Sequence, residues 1–528
     1  MQGRKEIQPK MMYQVNLDML VPTDNFYRKL AQTLDLSFLY KATAKYYGAE
    51  GQESIDPVVF FKICLVGYLN NLNSDRRLMD YCGNCLDVRW YLKYDIDEVL
   101  PWHSTISRTR QLYGEEVFLS LFQQVLSLCV AKGMVRGKRQ AVDSAYIKAN
   151  ASMDSLLEKE VISDAVHYLA ELNEGSDYKV SQSVKKAVDR HHAWKAEEYK
   201  GMPGHVDNPK QEDENGILIR PKYLSNHTHY SPTDPDAKIS TKPGKARQLN
   251  YAGQLAVDDC HHVITGACAS SAGQRDSQNL AEILSQTIIN LTQNNLQPEQ
   301  MVADAGYSSG EALAFCEQNG IDAYIPNFGQ YKAHREGFEY QKEANYYQCT
   351  KQGGKGAKLL FKGERTDSKG YTKKIYRSSE IDCKDCPLRA VCCGKVSKFK
   401  KLDDSIDKPY YDRMHQKLSA KPKYVKRLSR IRSRTVEPVL GTLINFMNMK
   451  RLNSRGMASA NKHVLLSALS YNLKKLIKFS RPKASIVSNA LQKTTSKGRE
   501  VLLFLSEAIK GYTLHFNPSK IRFAKTEL

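Results

Sequence analysis

The sequence predicts an α/β (α+β) chain: a mixed sheet with flanking helices, preceded by an all-α N-terminal domain and interrupted by two insertions. Three observations predict it. Apolar residues keep a helical period up to about residue 135. Beyond that point, short alternating or apolar runs take turns with helical stretches, which argues for helices around a sheet. Two segments of different composition then break the alternation. At 528 residues, 41% of them hydrophobic, the chain can fill more than one core. The expected division is 1–135 helical, 136–480 mixed, with insertions at 153–245 and 331–404, and a tail at 481–528.

A formal charge of +21 points to a polyanionic partner, since a merely solvated surface seldom carries so large an excess. The longest apolar run, VVFFKICLVGYL at 58–69, is short and contains Lys62, so it reads as a buried helix and no membrane span is expected. The start, MQGRKEIQPKMMYQ, lacks the apolar core of a signal peptide. The 12 cysteines therefore read as thiols or metal ligands in a cytoplasmic, nucleoid-associated protein.

In EEVFLSLFQQVLSLCV, Val117, Leu121, Val125 and Leu128 recur at helical spacing, widened by Phe118 and Phe122. Upstream, PWHSTISRTRQLYG offers Ser104 or Thr105 as a helix cap, with Arg108 and Arg110 in the following turn. Such a helix fits a DNA groove, and it equally fits an adaptor whose arginines pair with nearby acids. Cys82 and Cys85 read as helical core. Strands follow at RQAVDSAYI and at LNYAGQLAVDD, which pairs with HHVITGACAS through a turn at His261 and His262. DSQNLAEILSQTIINLTQ reads as a helix capped by Asp276. Next come the strand MVAD, a helix through EALAFCEQNG and the strand DAYIP.

Asp143 and Asp304 share a grammar: apolar residues, then an acid, then small polar ones. Residues 151–216 hold 14 acids against 8 bases. Residues 331–404 are rich in Lys, Gly and Cys and read as Lys/Gly loops with too little apolar content to fold on packing alone. Residues 395–434 hold 14 bases against 4 acids and lead into RLSRIRSRTVEPVLGTLINFMNMKR. There Val436, Leu440, Leu443 and Met447 form a core stripe, and Glu437 stands among arginines, either in ion pairs or as a metal ligand. Because Pro438 disfavours helical geometry in the residue before it, Glu437 is expected at a kink or a helix start.

Several stretches together resemble the DDE transposases of bacterial insertion sequences, in the subgroup with a helical N-terminal domain and an RNase H-like catalytic domain. They are GQESIDPVVFFKICLVGYLNNLNSDRRL, DVRWYL, HSTISRTR, VDSAYIKANAS, HYSPTDPDAKIS, VADAGYSS, CPLRAVC and RSRTVEPVLGTL, in the family's order over roughly residues 50–475. The resemblance implies a catalytic triad of Asp143 on the first strand, Asp304 after the fourth, and Glu437 on a later helix. It implies that the triad binds two Mg²⁺ or Mn²⁺ ions, about 3.5–4 Å apart in sites of this class. It also implies double-stranded DNA as partner, both the element's terminal inverted repeats and the target, held by a homo-oligomer. Arg108, Arg110, Lys148, Arg430, Arg434, Lys450 and Arg451 are the expected DNA contacts. Arg434 sits three before Glu437, where the family pattern places an arginine four before.

Cys349, Cys383, Cys386 and Cys392 suit one structural Zn²⁺, with Cys393 as a substitute for Cys392; the other reading is a remnant that binds nothing. His227, His229, Asp234 and Asp236 lie in a Pro/Asp turn that is either self-stabilised or placed beside the active site. Alternatives to the transposase are a decayed chain that only binds DNA and a metal-dependent nuclease that does not join strands.

Overall fold

The computed structural model describes residues 16–48, 54–158, 211–212, 218–219, 225–226, 229–240, 247–327 and 331–479, less 332, 352–355, 368–369 and 394–396. Most of the 153–245 insertion, His227 and the 481–528 tail lie outside the described residues. The chain forms one compact unit over Met1–Leu473 and a second over Lys474–Leu528. The change from helices to sheet near residue 135 falls inside the first unit.

Eight helices come first: α1 Leu17–Leu20, α2 Phe26–Thr33, α3 Phe38–Thr43, α4 Pro57–Leu69, α5 Asp75–Asn84, α6 Leu86–Leu92, α7 His103–Leu112 and α8 Glu115–Ala131. α4 starts where local chemistry dictates. The Asp56 carboxylate accepts from the backbone N–H groups of Val58 and Val59, and Pro57 fills the first turn, where its missing N–H costs nothing. α4 is buried nearly all round, as its unbroken apolar run requires. Lys62 donates to the Tyr91 carbonyl at 2.6 Å, and burial pulls its pKa down to about 8. No single described helix is long and apolar enough to cross a membrane. α8 buries Val117, Phe118, Leu121, Phe122, Val125, Leu126 and Cys129, so the core stripe turns slightly away from Leu128.

The central sheet is built from β1 Arg139–Lys148, β6 Lys238–Ser240, β7 Gln248–Asp258, β8 Ile264–Ser271, β9 Gln300–Val302 and β10 Asp322–Tyr324. Four two-residue strands, β2 Leu157–Glu158, β3 Gln211–Glu212, β4 Leu218–Ile219 and β5 His229–Tyr230, pair outside it. β7 runs antiparallel to β1 and β8, while β9 is parallel to both β1 and β10. β6 shares the far edge of β7 with β8. Over the five main strands this is the mixed order expected of an RNase H-like sheet. β7 alternates in sequence yet is buried on both faces, because helices cover both sides. Its turn into β8 needs a left-handed residue, which His262 supplies at φ 56°.

On one face lies α9 Asp276–Thr292, which approaches β8 so closely that a Cβ on Gly266 would come within 2.2 Å of Thr287 Oγ1. α10 Gly310–Gln318 completes that layer. On the other face, after α13 Lys408–Ala420, come α14 Pro422–Phe446 and α15 Met457–Lys478. α14 passes through Pro438 without a break, so Glu437 sits in a helix interior and not at a helix start. Proline removes the donor that would have met the Arg434 carbonyl, a local cost of about 3 kcal/mol that the helix absorbs. Val436, Val439, Leu440 and Leu443 are buried beneath it.

Between these halves, residues expected to be Lys/Gly-rich loops form a five-stranded antiparallel sheet: β11 Phe338–Gln341, β12 Tyr346–Cys349, β13 Lys358–Thr366, β14 Thr372–Ser378 and β15 Lys401–Ser405. Among the described residues its core cluster is Tyr347, Leu359 and Tyr376, flanked by Phe338 and Leu402. Two short helices, α11 Glu380–Lys384 and α12 Arg389–Cys393, carry most of its cysteines.

Several caps differ from expectation. Neither Ser104 nor Thr105 caps α7, which starts at His103 behind Trp102. Asp276 is the first residue of α9, not its cap. Asp234 and Asp236 close the start of α15, accepting from the backbone N–H groups of Gly456 at 3.1 Å and Met457 at 2.9 Å. That is the structural role of the SPTDPD segment. Arg110, expected on DNA, turns inward and grips Asp75 with two bonds of 2.8 and 3.0 Å. Both side chains are nearly buried, so removing one strands the other. Arg110→Ala is expected to lower the unfolding free energy by about 3–5 kcal/mol, read as a drop in the urea midpoint; an unchanged midpoint would refute this role.

Candidate active site

β1 presents alternate side chains to opposite faces. Val142 and Ser144 face α9, whereas Asp143 faces α14. β9 pairs with β1 only as far as Val302 opposite Ala141, so Asp143 stands just past the point where the parallel strands separate. Asp304 follows that strand end and caps a short turn, Ala305–Tyr307, by accepting from the Gly306 N–H at 2.8 Å. Gly306, two positions on, leaves the carboxylates room: a Cβ there would lie 3.0 Å from Asp304 Oδ1 and 3.6 Å from Asp276 Oδ2.

Arg432 of α14 enters from the other face. Its Nη1 donates to Asp143 Oδ2 at 2.8 Å, and its Nη2 lies 3.7 Å from Glu437 Oε1. Asp143 and Arg432 are 17% and 14% exposed, whereas Glu437 is 58% exposed at the rim. Burial raises the pKa of Asp143. Nearby Asp304 pushes it the same way, while the Ser144 N–H and Arg432 oppose the rise. Arg432 thus bridges Asp143 and Glu437, and Asp304 lies near enough to Asp143 to act on its charge. Among the described residues, no three His, Cys, Asp or Glu side chains are close enough together to hold a metal ion as they stand. The chemistry of the donors nevertheless suits a hard cation: a desolvated carboxylate, a second acid beside it and a third within reach.

The remaining expected residues divide. Arg108, Arg430, Arg434, Lys450 and Arg451 are exposed and Lys148 is half-buried. A backbone bridge gathers three of them: the Lys148 N–H donates to the Lys450 carbonyl at 3.1 Å, beside a parallel bridge to Arg451. Arg434, singled out for its position before Glu437, lies on the exposed side, and Arg432 is the arginine among the acids. No pairing rule marks that residue, because five positions is not a helical neighbour spacing. Cys349, Cys383, Cys386, Cys392 and Cys393 all line one pocket against the small sheet. Burial, with Cys383 and Cys392 nearby, pushes the Cys393 thiol up to about 11.

The raised Asp143 pKa has a consequence for stability. The folded state holds this proton more tightly than the unfolded chain, whose ordinary value is 3.8. The contribution of the group is therefore full below that value and is lost as pH rises through the folded value. Asp143→Asn is expected to melt at or above wild type at pH 7, with a shallower decline from acid to neutral pH. Thermal melts across that range check it, and a variant less stable than wild type at pH 7 contradicts it.

Comparison with known proteins adds a family to this geometry. Residues 15–112 match the family described as a transposase domain, and residues 349–477 match the family described as a transposase DDE domain. The second match contains Glu437 and the cysteine pocket; Asp143 and Asp304 lie in neither. No curated protein matches the chain. Among solved structures, the piggyBac transposase synaptic complex with hairpin DNA, known by cryo-EM, is similar over 94% of this chain and 80% of its own. At 10% identity and a TM-score of 0.29 that likeness is too loose to use further. The two domain matches carry the conclusion: the chain has a transposase domain near its front and a transposase DDE domain toward its rear, consistent with the metal-dependent DDE transposases of insertion sequences.

Proposed function

We propose that the protein binds the terminal inverted repeats of its own element and both cuts and rejoins DNA at Asp143, Asp304 and Glu437. It does so as a homo-oligomer on the nucleoid, in the cytoplasm. One observation carries this reading: Arg432 reaches both Asp143 and Glu437, and Asp143 in turn feels the charge of Asp304. Structural ion pairs alone would not need a third acid there.

The three carboxylates would hold Mg²⁺ or Mn²⁺, two ions in all, which when bound supply a nucleophile at neutral pH and positive charge for the leaving oxygen. The remaining work falls to the chain. β1 and the capped turn fix Asp143 and Asp304 on rigid backbone, and α14 brings Glu437 to the rim. Arg432 supplies charge to the carboxylates and offers its planar guanidinium to a DNA phosphate brought to them. In cleavage, a water oxygen bonds to phosphorus as the bond to the 3′ oxygen breaks, which leaves a 3′-hydroxyl. In joining, that hydroxyl oxygen bonds to a target phosphorus as its bond to the target strand's 3′ oxygen breaks, which leaves a 3′-hydroxyl on the target. Arg108, Arg430, Arg434, Lys148, Lys450 and Arg451 contribute backbone contacts along the duplex.

Asp304→Asn is expected to bind end DNA as wild type does and to cut it at least about 100-fold more slowly. Gel analysis of binding and products reads both. Wild-type cleavage by this variant would exclude the site; cleaved ends never followed by joined products would make the protein a nuclease.

The cysteine pocket supports one structural Zn²⁺, since a sheet with so small a core gains much from a metal cross-link. The purified protein is expected to contain about one zinc per chain, and Cys383→Ser to lose it together with protease resistance of residues 338–405. A metal-free wild type of equal resistance would overturn this.

A further inference from the structure

One acid beside the site has no part in that mechanism. Asp276 opens α9, where the positive end of a long helix favours a carboxylate. Its Oδ1 accepts from Ser144 Oγ at 2.7 Å and from Gln254 Nε2 at 3.2 Å. Gln254 is fully buried, and its Oε1 accepts from the Tyr307 hydroxyl at 2.6 Å. Tyr307 is fully buried too, and burial raises its pKa well above the usual phenol value, so it keeps the proton it donates.

Read along its bonds, this is a brace. One end is Ser144, next to Asp143 in β1. The other is Tyr307, the last residue of the turn that Asp304 caps. Asp276 and Gln254 link the two, alongside a direct side-chain contact of Ser144 with Tyr307, and Gln254 Nε2 is also 3.3 Å from Ser270 Oγ. Two acids carried by separate segments need a fixed separation to share a ligand. The backbone hydrogen bonds of β1 and β9 end before reaching either acid.

We propose that Asp276, with Gln254 and Tyr307, is a positioning residue that sets the spacing of Asp143 and Asp304 for metal-dependent strand cleavage. The inference rests on the function proposed above. Asp276 acts as an acceptor: both bonds fall on one oxygen, which an asparagine would also provide. Gly306 keeps the space between Asp304 and the second Asp276 oxygen free of any side chain.

The test is a Mg²⁺ titration of cleavage on a duplex carrying the terminal repeat, with melting temperature and DNA affinity measured alongside. Asp276→Ala is expected to raise the half-saturating Mg²⁺ by about 10–100-fold while DNA affinity holds. Asp276→Asn returns it close to wild type, and Tyr307→Phe shifts it in the same direction as alanine. A wild-type Mg²⁺ response in Asp276→Ala overturns the brace. So does an Asp276→Asn as weak as the alanine, because charge and not hydrogen bonding would then matter. Should Asp276→Ala fail to fold, Ser144→Ala and Tyr307→Phe carry the test, and wild-type titrations in both overturn it. Asp304→Asn runs beside them: if it still cuts, the assignment of the site fails, whatever Asp276 does.

Discussion

The structure turns on how the chain manages a carboxylate in a strand that is otherwise buried. Asp143 is largely out of water, and burial outweighs the groups that would keep it ionised. Such a group persists only if something positive comes to it. In this fold Arg432 does so, reaching across from α14 and serving Glu437 as well. Strand, helix and rim acid are therefore joined by charge as well as by the packing of α14 on the sheet.

That arrangement explains features that look costly in isolation. A proline inside α14 and a half-exposed glutamate beside it are tolerated because the neighbouring face of the same helix buries Val436, Val439 and Leu443. The strands separate beyond Ala141 and Val302, which opens the space where Asp143 and Asp304 stand. Ligands gather at such carboxyl ends of parallel strands because the backbone there is exposed yet rigidly held. The acid-capped turn after β9 stands at that opening, and Tyr307, its last residue, is anchored in the core by Gln254.

What the sequence made legible was local. Helical periodicity identified α8, an unbroken apolar run identified α4, and the β7–β8 pair showed through alternation and a turn. Asp143 and Asp304 stood out because each ends an apolar run in an acid. What stayed hidden depends on partners far along the chain. Nothing near Arg110 announces Asp75, and nothing near Asp234 or Asp236 announces the start of α15, more than two hundred positions later. Arg432 and Asp276 escaped for the same reason, since each matters only through a residue on another element. The small sheet at 338–405 was misread because its strands are charged and half-exposed, so composition spoke louder than alternation.

One more long-range contact joins the helical front to the end of α14. Asn448 donates to the carbonyls of Gly67 and Leu72, its own N–H is received by Asn71, and Asn453 donates to the Asn73 carbonyl. These partners lie 376 to 381 positions apart. On the ribosome, at about 5–20 residues per second, the loop after α4 waits tens of seconds for them. Any chain that stops before residue 448 lacks the asparagines that close this loop. A prematurely terminated copy therefore leaves the Gly67, Leu72 and Asn73 carbonyls without these donors, a folding fault before any question of chemistry.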